Sequence, residues 1–195
     1  MEYRKLKTMN IDLMEVIRFA SEKHRFQHRK DGMTPYINHP IQVAHLLSSH
    51  GETDPVLLAA ALLHDTIEDT DATAEDLKTK FGEEVLALVL EVTDDKTLSR
   101  AERKRLQIEH AKHSSHRAKL LKLADKICNI SDIMDCPTDG WRDERKVQYL
   151  KWSVAVVKNI RGVNADLEAL FDKKIRSGSM LFSHTLELEG SLELD

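Results

Sequence analysis

Leu62-Leu63-His64-Asp65-Thr66-Ile67-Glu68-Asp69 places two adjacent side chains of metal-ligand type at the end of an apolar run. An ionisable pair in such a position is costly to bury unless its charge is compensated, and a divalent cation would compensate it. At helical spacing Glu68 lies one turn beyond His64, and Asp69 lies one turn beyond Asp65. The stretch therefore predicts two metal ligands and two further carboxylates on one face of a helix.

A second segment offers another histidine. In Pro35-Tyr36-Ile37-Asn38-His39-Pro40, the proline at position 40 suits the first position of a helix and favours extended backbone at the residue before it. His39 is therefore predicted to stand at a defined point, at the start of a helix. On its own it could equally be a capping histidine or a core histidine.

A third segment offers a carboxylate. Residues 120–129 read as an apolar helix, and Asp125 would lie beside its inward face. Alone, this acid could be the partner of a salt bridge. Together with His39 and the His64-Asp65 pair, it makes a set of two imidazoles and two carboxylates. Such a set suits manganese, iron or zinc better than calcium or magnesium, which prefer oxygen ligands only.

The order of these motifs resembles the hydrolase domain of RelA/SpoT-type proteins, a group within the HD-domain metal phosphohydrolases. The resemblance covers roughly residues 10 to 176 and is strongest to the stand-alone small alarmone hydrolases of Mesh type. The motifs that carry it are Arg29-Lys30-Asp31-Gly32, Pro35-Tyr36-Ile37-Asn38-His39-Pro40, Leu63-His64-Asp65-Thr66-Ile67-Glu68-Asp69-Thr70, Phe81-Gly82, Val92-Thr93-Asp94-Asp95-Lys96 and Lys122-Leu123-Ala124-Asp125-Lys126.

The resemblance implies an all-α fold, a compact HD-domain helical bundle. It also implies that the chain is a (p)ppGpp 3′-pyrophosphohydrolase of the stringent response, giving GDP or GTP and pyrophosphate. One manganese ion per chain would be bound by His39, His64, Asp65 and Asp125. Glu68 and Asp69 would be catalytic, because they would position a water molecule and move its proton.

The substrate would carry several negative charges, so cations are needed to hold it. The resemblance assigns this role to Arg29, Lys30 and Lys96. Asn129, one turn after Asp125, could hydrogen-bond the ribose or a phosphate. It also places Arg145 and Tyr149 at the phosphate end of the nucleotide, although that pair alone would more often pack on a surface.

Two alternative functions stay open on the sequence. A related pocket could remove the 2′-phosphate of NADPH, or act on another nucleotide, because the metal, the water and the acid pair do not distinguish bases. The chain could also be a catalytically silent nucleotide-binding regulator that keeps the metal site. The intact pair of Glu68 and Asp69 argues against a silent protein.

Other charged residues are predicted to have no part in the site. The histidines at 24, 28, 110, 113 and 116 lack a nearby carboxylate at ligand-like spacing, so they are expected to pack or to be solvated. A solvated helix face is predicted for the basic residues Arg100, Arg103, Lys104 and Arg105.

The 195 residues favour one main domain, predicted as residues 1–178, followed by a tail at 179–195 of unknown role that forms either a short hairpin or a frayed end. A net charge of −4 argues against a general nucleic-acid binder. No apolar stretch of membrane-spanning length and no secretory signal is present, so a cytoplasmic location without membrane partners is expected. The sequence does not predict an oligomeric state.

Overall fold

The structure, a computed structural model, describes residues 11–135 and 141–182, and the regular secondary structure in these ranges is helical. The only β contact within these ranges is an isolated antiparallel bridge between His28 and Pro35. The predicted all-α fold is confirmed. The helices are α1 (Leu13–Lys23), α2 (Asn38–Ser49), α3 (Pro55–Leu63), α4 (Thr66–Asp69), α5 (Ala74–Phe81), α6 (Glu83–Val92), α7 (Arg100–Ala111), α8 (His116–Asp135), α9 (Asp143–Lys158) and α10 (Ala165–Leu181).

Helix α3 forms the centre of the core. Asp54 caps it by accepting a hydrogen bond from the backbone N–H of Val56 at 3.0 Å, and Pro55 occupies its first turn. Nearly all of its side chains are buried, because α1, α2, α6 and α8 pack around it. Burial on every side explains why this run is apolar without a polar face.

Helix α8 is the longest, with 20 residues, and it packs against α2, α3, α6, α9 and α10. Because α2 and α3 both contact it, the start of α2, the end of α3 and the middle of α8 come together. These are the places that carry His39, His64 and Asp125.

The start of α2 differs from the sequence-based expectation, and the end of α1 is set by a turn of the chain. Helix α1 ends at Lys23, because the chain then folds back on itself: the N–H of Tyr36 donates to the carbonyl of Gln27 at 2.9 Å. Helix α2 begins at Asn38, so Pro40 is its third residue and His39 is helical rather than extended. A proline is tolerated there because first-turn N–H groups have no partner within the helix.

The far end of the chain is described only in part. Helix α10 continues through Leu181, past the predicted domain boundary at residue 178, and the division into domain and tail stays a prediction. The predicted hairpin or frayed end lies almost wholly outside the described residues. Among the helices that are described, none combines the length and the apolar character that crossing a bilayer requires.

Gly82 offers a test of how the fold turns from α5 to α6. Its backbone angles, φ 89° and ψ 169°, lie in a region that side chains with a Cβ rarely adopt. We expect Gly82→Ala to lower the free energy of unfolding by about 1–3 kcal/mol. Urea unfolding measures this change. Glu83→Ala, at the next and exposed position, should change stability little, and equal effects of both variants would contradict the strain at Gly82.

Candidate metal centre

Four predicted ligand side chains converge at one point. The Nε2 atom of His39 lies 3.1 Å from Oδ1 of Asp125 and 3.9 Å from Oδ2 of Asp65. The Nε2 atom of His64 lies 3.2 Å from Oδ2 of Asp65 and 3.8 Å from Oδ1 of Asp125. Ligand atoms of His39, His64 and Asp125 all lie within 4.8 Å of one another. The structure therefore brings together all four side chains that the sequence singled out.

The imidazole ring of His64 is oriented by a hydrogen bond to its other nitrogen, on the side away from the carboxylates. Its Nδ1 lies 2.8 Å from the carbonyl oxygen of Ala61, which can only accept, so Nδ1 carries a proton and Nε2 is the atom that a metal ion would bind. Burial would lower the pKa of His64, but the carboxylates of Asp65 and Asp125 raise it to about 9. This buried Nε2 has no hydrogen-bond partner among the described residues, although two carboxylates lie within 4 Å. A buried imidazole nitrogen without a hydrogen-bond partner, facing two carboxylates, fits a divalent metal ion.

The two ligand carboxylates are held ionised. Burial alone would raise the pKa of Asp125, but the charge of Lys126 and the hydrogen bond to His39 bring it well below its usual range. The pKa of Asp65 is likewise lowered, since His64 outweighs the effect of burial. Ionised carboxylates are the form that binds a cation.

The helix that was predicted to continue through His64 and Asp65 is interrupted there. Helix α3 ends at Leu63, and a separate short helix, α4, begins at Thr66. The N–H of Asp69 still donates to the carbonyl of Asp65 at 2.8 Å, so the chain keeps a helix-like turn. The prediction of one continuous helix face is wrong. Even so, the ligands and the carboxylates of Glu68 and Asp69 line the same cavity.

Glu68 and Asp69 stand beside the ligands in different surroundings. Burial raises the pKa of Glu68, and its Oε2 accepts a hydrogen bond from the backbone N–H of Asp94 at 3.1 Å. Asp69 pairs with Lys96, whose Nζ also lies 4.0 Å from Glu68. Lys96 thus contacts the carboxylate pair, where the sequence predicted a contact with substrate.

Tyr36 is a site residue to which the sequence assigned no role. Its hydroxyl donates to Oδ2 of Asp65 at 2.7 Å and lies 3.4 Å from Oδ2 of Asp69, so it bridges a predicted metal ligand and a member of the carboxylate pair. The ring of His24 stacks on it at 4.8 Å. In the sequence, the only indication of a role for Tyr36 was its position three residues before His39, in the same motif.

The cavity around the ligands has a volume of about 360 Å³ and includes Arg29, Lys30 and Asn129 in its wall. Asn129 links Asp125 to Arg29, because its amide nitrogen donates to Asp125 at 2.6 Å and its amide oxygen accepts from Arg29 at 2.8 Å. Arg29 is also paired with Asp132 at 2.5 Å. Arg29 and Asn129 are therefore held in place by the protein itself.

Arg145 and Tyr149 lie in a neighbouring cavity of about 400 Å³, which shares Lys30, Glu68, Asp94 and Gln107 with the first. Trp141 stands between two cations: Nζ of Lys30 lies 4.3 Å from its ring centre and Cζ of Arg145 lies 4.0 Å from it. Burial lowers the pKa of Lys30 to about 8, and Arg29 adds to the effect. Sequence reasoning missed Trp141, which had no periodic or motif signal.

Helix α7 also faces this second cavity. Arg100, Arg103 and Lys104 line it, and the indole N–H of Trp152 donates to the carbonyl of Lys104 at 3.1 Å. The prediction of a solvated face is confirmed for Arg100, which is exposed, whereas Arg103 and Lys104 are half-buried, because α7 packs on α9 and places them at the cavity wall. For Arg105 the prediction is confirmed: it pairs with Glu102 and Glu109 on the surface.

The competing histidines form no metal cluster with carboxylates in the described ranges. His24 is buried, and its Nδ1 lies 2.7 Å from the side-chain oxygen of Gln27, as expected of a packing histidine. His110, His113 and His116 lie at the exposed end of α7 and the start of α8.

Comparison with known proteins agrees with this geometry. A family model described as "HD domain" matches residues 17–166. A solved structure of a metazoan ortholog of SpoT, described as hydrolysing ppGpp and playing a role in starvation responses, superposes with a TM-score of 0.82 at 50% identity. It covers 91% of this chain and 98% of that chain.

Among similar sequences are two named guanosine-3′,5′-bis(diphosphate) 3′-pyrophosphohydrolase MESH1. The protein from Xenopus tropicalis is 52% identical over 162 residues, which is 82% of this chain and 90% of the relative. The protein from Homo sapiens is 54% identical over 158 residues, which is 80% of this chain and 88% of the relative. The chain belongs to the HD-domain family, in its stand-alone Mesh-type branch.

Proposed function

We propose that this chain is a metal-dependent guanosine-3′,5′-bis(diphosphate) 3′-pyrophosphohydrolase. The single observation that carries the proposal is the similarity to relatives of that name across about nine-tenths of their length, on a fold shared with a ppGpp hydrolase. The substrate is a small-molecule guanine nucleotide, converted with one water to GDP or GTP and pyrophosphate. A cytoplasmic location stays a prediction.

His39, His64, Asp65 and Asp125 would hold the ion, for which we propose manganese. Mixed imidazole and carboxylate ligands suit such a borderline metal. A divalent ion at this point supplies Lewis acidity, which lowers the pKa of water and polarises the phosphoryl group. Tyr36 orients Asp65 from the side, because its hydroxyl donates to Oδ2 of that residue.

The reaction breaks the bond between the ribose 3′ oxygen and phosphorus. Water supplies the new oxygen on phosphorus, and a proton must reach the 3′ oxygen as it leaves. Glu68 is suited to take and return that proton, because burial raises its pKa toward neutrality. Asp69 would position the water, because the hydroxyl of Tyr36 lies between its carboxylate and that of Asp65.

The two cavities offer different surroundings to the two ends of the nucleotide. Arg29 and Asn129 are already fixed near the metal ligands, so little side-chain freedom is lost when substrate binds. Lys30, Arg145 and Tyr149, with Trp141 between the two cations, would hold the remaining phosphates and the base.

The direct test is a turnover assay on manganese-loaded protein. We expect guanosine tetraphosphate to yield GDP and pyrophosphate in equal amounts, measured by anion-exchange chromatography. NADPH serves as the comparison substrate. Faster release of phosphate from NADPH would favour a 2′-phosphatase, and no turnover of either nucleotide would indicate a silent nucleotide-binding protein.

The ligand set predicts that Asp65→Asn loses metal and activity together. A neutral amide is a much poorer ligand than a carboxylate, and it removes one of the two negative charges that a divalent cation balances. Elemental analysis after dialysis measures the metal content. Asp71→Asn, on the exposed surface nearby, should keep both properties. Full metal content in Asp65→Asn would remove this residue from the site.

Substitutions in the carboxylate pair, Glu68 and Asp69, are expected to reduce catalysis without reducing metal binding. Glu68→Gln and Asp69→Asn should keep the metal but lose turnover by roughly a hundred- to ten-thousand-fold, as is typical when a general acid or base is removed. The measurement is kcat at saturating manganese, with Glu75→Gln on the exposed face of α5 as the matched control. Near wild-type kcat in both variants would exclude the proton-transfer role.

A further inference from the structure

Lys122 is a buried cation in the wall of the metal cavity. It lies on α8, one turn before Asp125, and only 8% of the residue is exposed. It lines the metal cavity and also a neighbouring cavity of about 170 Å³, whose wall includes Asp94 and Gln107. Neither the metal site nor the carboxylate pair explains why a charged side chain is placed there.

Lys126, one turn further along the same helix, shows how a buried lysine is normally accommodated. Its Nζ lies 3.1 Å from Oδ2 of Asp125 and 4.4 Å from the ring centre of Trp152. Lys122 has no such partner: within residues 11–135 and 141–182, no group accepts a hydrogen bond from its ammonium and no carboxylate lies within 4.0 Å.

A buried charge without a partner is strongly disfavoured, and proteins keep one only where something else neutralises it. Burial lowers the pKa of Lys122, and Lys126 lowers it further, so the folded protein does not compensate this ammonium group. The carboxylates of Asp94, Asp125 and Glu91 act in the opposite direction but are too distant to pair with it. The ammonium group of Lys122 lines the cavity without a carboxylate partner, so an anionic ligand bound there would supply the counter-charge.

We propose that Lys122 binds the diphosphate group that is cleaved from the ribose 3′ oxygen. The reacting phosphorus has to lie at the metal ligands, so its attached phosphate must lie within the same cavity. Lys122 lines that cavity but not the one with Trp141, Arg145 and Tyr149, which is suited to the rest of the nucleotide. This inference rests on the proposed function and adds a residue that stabilises the leaving diphosphate.

A lysine retained for a ligand and a lysine retained for folding respond differently to substitution. Replacing an unpaired buried ammonium by an apolar side chain of similar length removes a desolvation cost, so the protein without ligand should be as stable as before or more stable. A structural lysine would instead lose stability when it is replaced. If the proposal is right, substitution of Lys122 therefore weakens anion binding without lowering stability.

The experiment compares Lys122→Met with Lys119→Met, which replaces a lysine on the same helix that lines neither cavity. In manganese-loaded protein, we expect Lys122→Met to keep or raise Tm and to lose the rise in Tm that inorganic pyrophosphate causes in the wild type. Manganese is kept in excess of pyrophosphate so that chelation does not remove the metal. The kcat/KM for guanosine tetraphosphate should fall roughly ten- to hundred-fold, the loss of one charge-assisted hydrogen bond.

The Tm shift with pyrophosphate does not require turnover, so it tests Lys122 even if the wild type fails to hydrolyse guanosine tetraphosphate. A wild-type Tm shift that persists in Lys122→Met would overturn the proposal. So would a fall in Tm in both Lys122→Met and Lys122→Gln, since a cation needed for folding has a structural role. Lys119→Met should match the wild type in all three measurements.

Discussion

Two carboxylates and two imidazoles meet at nitrogen–oxygen separations between 3.1 and 3.9 Å, in a place where water has little access. Left without a cation, such a cluster would hold two ionised acids close together in a medium of low polarity, which is unfavourable. The arrangement of the helices follows from this constraint. Helices α2, α3 and α8 must approach closely enough to present their ligands to one point, and the small side chains along α3 allow that approach.

The groups around the cluster divide by charge. Carboxylates occupy the centre, whereas cations surround them on several sides, from Lys126 beneath Asp125 to Arg29 beside Asn129. Aromatic rings hold several of these cations, notably Trp141 and Trp152. A ring stabilises a cation without neutralising it, so the positive charge remains available to a phosphate. This separation suits a ligand that needs a metal at one phosphorus and positive charge at its other phosphates.

Rigidity comes from partners that lie outside the ligand set. The carbonyl of Ala61 fixes the tautomer of His64, and the hydroxyl of Tyr36 restrains both Asp65 and Asp69. Such contacts raise the precision of a metal site, because each ligand is already oriented before the ion binds. In the same way, the ion pair with Asp132 fixes the guanidinium group of Arg29 before a ligand binds.

The sequence by itself predicted the types of side chain at the candidate metal centre, and its resemblance to HD-domain proteins predicted the helical class. These depend on local properties: the apolar run of α3, its Asp-Pro start and the adjacency of His64 and Asp65 are all visible within a few residues. The chemical types of the predicted ligands could therefore be identified from the sequence, and the HD-domain motifs indicated their proposed role.

Only the tertiary structure decided which cations and hydroxyls face the site. Lys122 and Lys126 look alike in the sequence, yet one is paired with Asp125 and the other is not. The sequence predicted that Arg103 is solvated, whereas the packing of α7 on α9 places it in the wall of a cavity. The break between α3 and α4 could not be predicted from the sequence either. Each of these outcomes depends on contacts between segments far apart in the chain, and local periodicity carries no information about such contacts.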